Sequence, residues 1–178
     1  EARFRDGRPR RYLAPYDYDL VKSFCRDGTA IESIEISTAA ASLPAGVVLM
    51  DTPGIDSTDA AHRLATEEAI HLADLIFYVM DYNHVQSEES FLFTKSLTEA
   101  GKRVALVINQ IDKHREEELS FAAFAAGVKD AFAAWGVAPE AVFFTSMKDE
   151  AHEHNDFKTM QAFLRDALKK RAASLEES

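Results

Sequence analysis

Four unbroken apolar runs, each closing on a polar residue, constrain the fold of this chain more than any other feature. They are "VVLMD" ending at Asp51, "LIFYVMD" ending at Asp81, "RVALVIN" ending at Asn109 and "AVFFTS" ending at Ser146. Apolar residues in succession, rather than in alternation, suit parallel strands covered on both faces. Stretches with helical spacing lie between and after them. Residues 58–73 set Ala61, Leu64, Ala65, Ala69 and Leu72 along one side, and residues 87–100 start at Ser87 as a cap and stop at Gly101. Residues 117–135 repeat Phe121, Phe124, Val128 and Phe132 behind an acidic first turn, Glu116 to Glu118, and read as core. Residues 157–174 carry Phe157, Met160, Leu164 and Leu168, with Lys169 to Arg171 suited to a helix C-terminus. Strand alternating with helix predicts right-handed βαβ units in an α/β fold, a three-layer sandwich around a mostly parallel sheet.

The 178 residues are 47 % hydrophobic, enough for one sizeable core, and no linker divides them, so residues 1–178 are expected to form one domain. Residues 47–178 supply its alternating core. Residues 1–46 read differently, with a short helix at 16–25 and "AIESIEIST" alternating like an edge strand. A formal net charge of −10 disfavours nucleic acid or an anionic membrane as a direct partner, since an acidic surface repels phosphates. Cys25 is the single cysteine, which excludes an internal disulfide and a thiolate metal cluster. No apolar run approaches the roughly 18 residues that span a bilayer, and "EARFRDGRPRR" lacks the pattern of a signal peptide, so a cytoplasmic chain is expected.

In open α/β sheets ligands bind at the carboxyl ends of the strands, which puts Asp51, Asp81, Asn109 and Ser146 where chemistry is done. Asp51 followed by Thr52, Pro53 and Gly54 offers a carboxylate able to hold hydrated Mg²⁺ through water, and a glycine that admits a phosphate close to its backbone N–H. Alone, those residues are equally a strand ending in a turn. Asn109-Gln110-Ile111-Asp112 places an acceptor-only carboxylate just past a strand end, where it can take the ring N–H and exocyclic amine of guanine. Adenine leaves one such pairing unmade, at roughly 1–3 kcal/mol. Alone again, Asn109 is a cap and Asp112 a solvated charge. In "TSMKD", Thr145 to Asp149, the Met147 N–H can face the guanine carbonyl and the Lys148 stem can cover the base. A phosphate-and-metal turn, a base-reading turn and a carbonyl-reading turn, in that order at successive strand ends, argue together for a guanine nucleotide. His62, His84, His152 and His154 have no partners spaced for a triad or metal site and read as solvated or hydrogen-bonded.

"DTPG", "NQID" and "TSMK" resemble the third, fourth and fifth signatures of the P-loop GTPases. Within that class, "LMDTPGIDSTDAAHRLATEEAIHLADLIFYVMDYNHVQSEESF" and "VALVINQIDKH" are most similar to the GTPase domain of the dynamin superfamily, especially its bacterial dynamin-like members. The resemblance covers roughly residues 30–150. It implies a GTPase working with Mg²⁺ and GTP/GDP, in which Asp51 supports the metal through water and Gly54 contacts the γ-phosphate. Thr52 and Pro53 shape that switch, Asn109 and Asp112 hold guanine, and Ser146, Met147 and Lys148 complete the base pocket. Gln110 stands where the class has lysine, so its methylenes cover the base without a charge and Lys148 carries more of that contact. The resemblance further implies self-association through the GTPase domain, and membrane remodelling at the cytoplasmic face by regions outside this chain.

The phosphate loop Gly-x-x-x-x-Gly-Lys-Ser/Thr does not occur, Thr29 and Thr38 are first-switch candidates by residue type only, and no catalytic residue can be assigned. The expectation is a fold incomplete at its N-terminus, whose first two signatures lie upstream. Its missing central strand leaves a gap to be filled by the chain's own first residues, another copy or an upstream segment. Such a piece binds GTP poorly and hydrolyses it hardly at all. The rival expectation is a nucleotide-independent, GTPase-like scaffold or protein-interaction domain.

Overall fold

Phe143 and Phe144 are chain neighbours that pack into different layers, as a strand buried on both faces requires. Phe143 meets Phe163 with ring centroids 5.4 Å apart, whereas Phe144 meets Phe121 and Phe124 at 5.4 and 5.9 Å. Phe77 and Tyr78 divide the same way, Phe77 toward Phe163 and Tyr78 toward Phe93. The computed structural model describes residues 1–13, 17–26, 30–36, 43–44, 46–52, 66–67 and 69–176. The chain forms two units, Glu1–Leu72 and Ala73–Ser178.

In the first unit β1 (Ala2–Phe4) lies between β2 (Pro9–Arg10) and β3 (Ile31–Ile34), antiparallel to both. Gly7, at φ 79°, makes the turn from β1 to β2. The helix α1 (Tyr18–Arg26) lays Phe24 against Phe4 and Tyr12, and the Arg10 guanidinium sits 4.5 Å over the Phe4 ring. The short helix and edge strand expected here are both present. Strand β1 is paired along both edges, so the chain's first residues form a three-stranded sheet of their own.

In the second unit β4 (Leu75–Asp81), β5 (Arg103–Asn109) and β6 (Ala141–Phe144) form a parallel sheet in that order, Asp81 level with Asn109. The central strand β5 buries every residue from Val104 to Ile108, whereas Val79 of β4, which among the described residues pairs with β5 alone, is 60 % exposed. The helices α2 (Glu88–Glu99) and α3 (Phe121–Ala134) meet on one face, Phe91 packing on Phe132 at 4.9 Å and stacking on Trp135 at 5.4 Å. On the other face α4 (Phe157–Glu176) sets Met160 and Phe163 against Ala105, Val107 and Phe143. The result is the expected three-layer α/β arrangement.

Local chemistry fixes the helix ends. Ser87 Oγ accepts from Ser90 N–H at 3.2 Å to open α2, and Gly101 at φ 72° turns the chain so that Lys102 N–H reaches the Leu97 carbonyl at 3.0 Å. The helix expected from residue 117 begins at Phe121 instead, because Ser120 Oγ caps Ala123 N–H at 3.2 Å. Glu116 lies outside that helix and accepts from Phe121 N–H at 2.9 Å.

Two strand expectations need correction. Residues 47–52 carry no regular structure, and Val48, Leu49 and Met50 are more than half exposed. An apolar run becomes a strand only with a ladder partner for its N–H and C=O groups, and Val47–Met50 has none among the described residues. The run ending at Ser146 leaves the sheet two residues earlier, at Phe144. Of the helix expected over residues 58–73, residues 66–67 and 69–72 are helical, Ala73 is not, and 58–65 and 68 lie outside the described residues.

Candidate functional site

The carboxyl ends of β5 and β6 carry two turns that are bonded to each other. Past Asn109 the backbone takes a left-handed step at Gln110, φ 68° and ψ 34°, the only non-glycine positive φ among the described residues. That step folds Ile111–Lys113 into a single 3-10 turn. It also aims Ile111 N–H at the Thr145 carbonyl, 3.2 Å away, while Thr145 N–H bonds the Ile108 carbonyl at 2.8 Å. The turn after β6 is thereby held against the turn after β5.

The polar side chains follow. Thr145 Oγ1 donates to Asn109 Oδ1 at 3.2 Å, which leaves the Asn109 amide nitrogen as a donor. Ser146 Oγ donates to Asp112 Oδ1 at 2.7 Å and accepts from Asp149 N–H at 2.9 Å. One bond to Oδ1 leaves lone pairs on both Asp112 oxygens for two further donors. The Ser146 hydroxyl, ahead of the positive charges of Lys148 and Lys113, holds the Asp112 carboxyl below the usual carboxylate range against the opposing effect of partial burial. Asp112 is therefore an acceptor at neutral pH. Met147 is 62 % exposed, its N–H makes no hydrogen bond among the described residues, and Lys148 is exposed beside it.

Of the residues singled out in the sequence, Asn109, Gln110, Asp112, Ser146, Met147 and Lys148 thus stand on two adjoining turns. Asp51 and Thr52 belong to the first unit, both exposed and with no strand ending at them; Pro53 and Gly54 lie outside the described residues. A single exposed carboxylate suits indirect support of Mg²⁺, an ion that keeps several waters and takes other ligands from phosphates. Among the described residues no group of His, Cys, Asp and Glu is arranged to hold a metal ion by itself, and no helix is long and apolar enough to cross a membrane. Asp81 closes β4 paired to His84 at 2.7 Å, which depresses its carboxyl pKa.

Asn155 was not visible as a site residue in the sequence. Its amide bonds Ser146 at both backbone groups, Nδ2 to the carbonyl at 2.8 Å and Oδ1 from the N–H at 3.2 Å. The available signal was its place just before the amphipathic pattern of α4, where Asn is a favoured cap.

Parallel strands with helical crossovers, and polar turns gathered at their carboxyl ends, put the second unit in the class of P-loop GTPase-like α/β folds. The sequence model of the dynamin family matches residues 5–112, and the chain belongs to that family. It is 41 % identical over 150 residues to Dynamin-like protein A of Bacillus subtilis, covering 84 % of this chain and 13 % of that protein. It is 29 % identical over 89 residues to GTPase Der of Nautilia profundicola (48 % of this chain, 19 % of Der). The Nitratiruptor GTPase Der is 32 % identical over 87 residues, covering 47 % of this chain and 19 % of that protein. The chain therefore spans well under a quarter of the length of these relatives. No solved structure matches it significantly.

Proposed function

We propose that this chain contributes the guanine-recognising part of a GTP-binding and GTP-hydrolysing domain in a dynamin-like protein that works with Mg²⁺. The observation that carries this reading is the 2.7 Å bond from Ser146 to Asp112, which ties a charged acceptor to the residue before Met147, an exposed residue whose N–H makes no hydrogen bond among the described residues. Guanine offers two adjacent donors and a carbonyl acceptor, the complement of that set. Asn109 steadies the same turn through Thr145, and the stems of Gln110 and Lys148 cover the base. Membership of the dynamin family, and likeness to proteins named GTPases, support the nucleotide assignment.

In the whole protein, Asp51 supports Mg²⁺ through water and Thr52, Pro53 and Gly54 face the γ-phosphate. Hydrolysis there rests on positioning and charge stabilisation of an in-line attack by water. The protein is cytoplasmic and peripheral to a membrane that it remodels, and it self-associates through this domain. The chain by itself lacks the Gly-x-x-x-x-Gly-Lys-Ser/Thr loop and binds GTP weakly.

Displacement of fluorescent GDP from the full-length protein tests the assignment. Unlabelled GDP is expected to compete at least about 10-fold better than ADP, and Asp112→Ala to erase that preference. Equal competition by the two nucleotides, or indifference to Asp112→Ala, overturns the base-recognition assignment, and failure of the full-length protein to bind fluorescent GDP at all leaves the nucleotide-independent scaffold.

A further inference from the structure

We infer that Asn155 is the positioning residue of the base-reading turn, its side chain clamping both backbone groups of Ser146 and so fixing where Ser146 meets Asp112. The inference rests on the guanine-recognition reading and names the residue that holds that site in shape. Asn155 Nδ2 donates to the carbonyls of Ser146 and Asp149 at 2.8 and 3.0 Å, and Oδ1 accepts from the N–H groups of Ser146 and Phe157 at 3.2 and 3.1 Å. Two carbonyls at one end and two N–H groups at the other admit only one orientation of the amide. Only Asn and Gln set an NH2 group with two donors beside a carbonyl oxygen that accepts twice, and Gln is longer by a methylene.

The clamp completes the hydrogen bonding of Ser146, which is 1 % exposed. Its N–H and C=O go to Asn155, and its hydroxyl donates to Asp112 and accepts from Asp149 N–H. The next residue ties the same corner to the sheet: Asp156 N–H bonds the Phe144 carbonyl at 2.7 Å, and Asp156 Oδ2 accepts from Phe144 N–H at 3.0 Å. Residues 145–149 belong to no helix or strand, so beyond backbone bonds such as the two of Thr145 their shape depends on these side-chain bonds. A turn already ordered before the base arrives spares the ligand the cost of ordering it. Removing the clamp leaves Ser146 and Asp112 chemically intact but no longer preset.

The test uses the full-length protein and three variants. Asn155→Ala removes all four bonds. Asn155→Asp keeps the acceptor for Phe157 N–H, and with it the start of α4, but has no donor for the two carbonyls. Both are expected to raise the GDP dissociation constant and the KM for GTP about 10-fold, with kcat within about twofold of wild type and a reduced preference for GDP over ADP. Asn155→Asp keeps the acceptor that opens α4 and should fold with a lowered melting temperature, so it carries the test if Asn155→Ala fails to fold. Asp112→Ala is the control for the underlying reading. Wild-type affinity and preference in Asn155→Asp, or equal loss toward GDP and ADP, overturns the role of Asn155 while Asp112→Ala still loses its guanine preference. Absence of guanine preference in the wild type removes the recognition reading and this inference together.

Discussion

Ser146 Oγ and Asp112 Oδ1 stand 2.7 Å apart across two turns that leave neighbouring parallel strands, and that one bond joins residues 34 positions apart in the chain. Ser146→Ala deletes a hydrogen bond to a charged group and strands the Asp149 N–H that used the same hydroxyl. The loss is expected to be about 1–3 kcal/mol of unfolding free energy. Guanine affinity should fall with it, since Asp112 loses its tether. Urea unfolding of the second unit's transition and calorimetric titration with GDP check both, and unchanged values in each would remove Ser146 from the site.

Asp112→Asn should change which base is preferred rather than simply weaken binding. A carboxylate offers acceptors only, matching the two donors of guanine, whereas an amide offers one acceptor and one donor. Xanthine carries a carbonyl where guanine has its exocyclic amine, and so matches the amide. The variant is expected to lose about 10- to 100-fold in GDP affinity and to gain in affinity for xanthosine diphosphate. Competition between the two nucleotides against a fluorescent analogue reads the ratio; a variant that still favours GDP would exclude direct pairing of Asp112 with the base.

The charge on Asp112 also sets a pH limit. Ser146 first, then Asp112's own backbone N–H, then Lys148 and Lys113, hold its carboxyl below its ordinary 3.8. A folded-state pKa that is depressed contributes stability in full above the unfolded value and loses it as pH falls through the folded one. This group therefore makes no demand on stability or guanine affinity between about pH 5 and 8, and its contribution disappears only in strong acid. Carbon-detected NMR titration should place the wild-type midpoint under 3.8 and move it upward in Ser146→Ala. A wild-type midpoint above the ordinary value would contradict the hydrogen-bond geometry.

Burial separates two apolar residues that look equivalent in the sequence. Phe132 is 1 % exposed against Phe91, while Val79 on the β4 edge is 60 % exposed. Phe132→Ala should cost about 3–5 kcal/mol by cavity formation and lost burial, and Val79→Ala should stay within about 0.5 kcal/mol. Urea midpoints at constant slope measure both.

How far the sequence could be read depended on whether a feature is settled locally. Ser87, Gly101 and the Phe121 to Phe132 spacing mark helices through bonds made within a few residues, and those helices are present. The Val47–Met50 run has the same composition as β4 and β5, yet is exposed coil, because a strand also needs a partner that no local pattern encodes. At the site, Asn109 at a strand end and Asp112 just past it were legible from run lengths, whereas Ser146, expected to close its run, stands two residues beyond β6. The clamp from Asn155 was not, since it depends on a loop folding back across nine residues to one particular backbone.

Gln110 supplies the last prediction. Its left-handed backbone, φ 68°, lets the chain reverse between Asn109 and Asp112, and a side chain with a Cβ pays roughly 1 kcal/mol for that conformation. Gln110→Gly removes the strain but frees the unfolded chain by a similar amount, so stability should change by less than about 0.5 kcal/mol. Gln110→Val brings a β-branched side chain to the same backbone and should destabilise by about 1–2 kcal/mol. Guanine affinity should follow the backbone rather than the side chain's polarity, falling in the valine variant more than in the glycine variant. Chemical unfolding and GDP titration of the pair decide the matter; a valine variant as stable as wild type would mean that residue 110 is not held left-handed in solution.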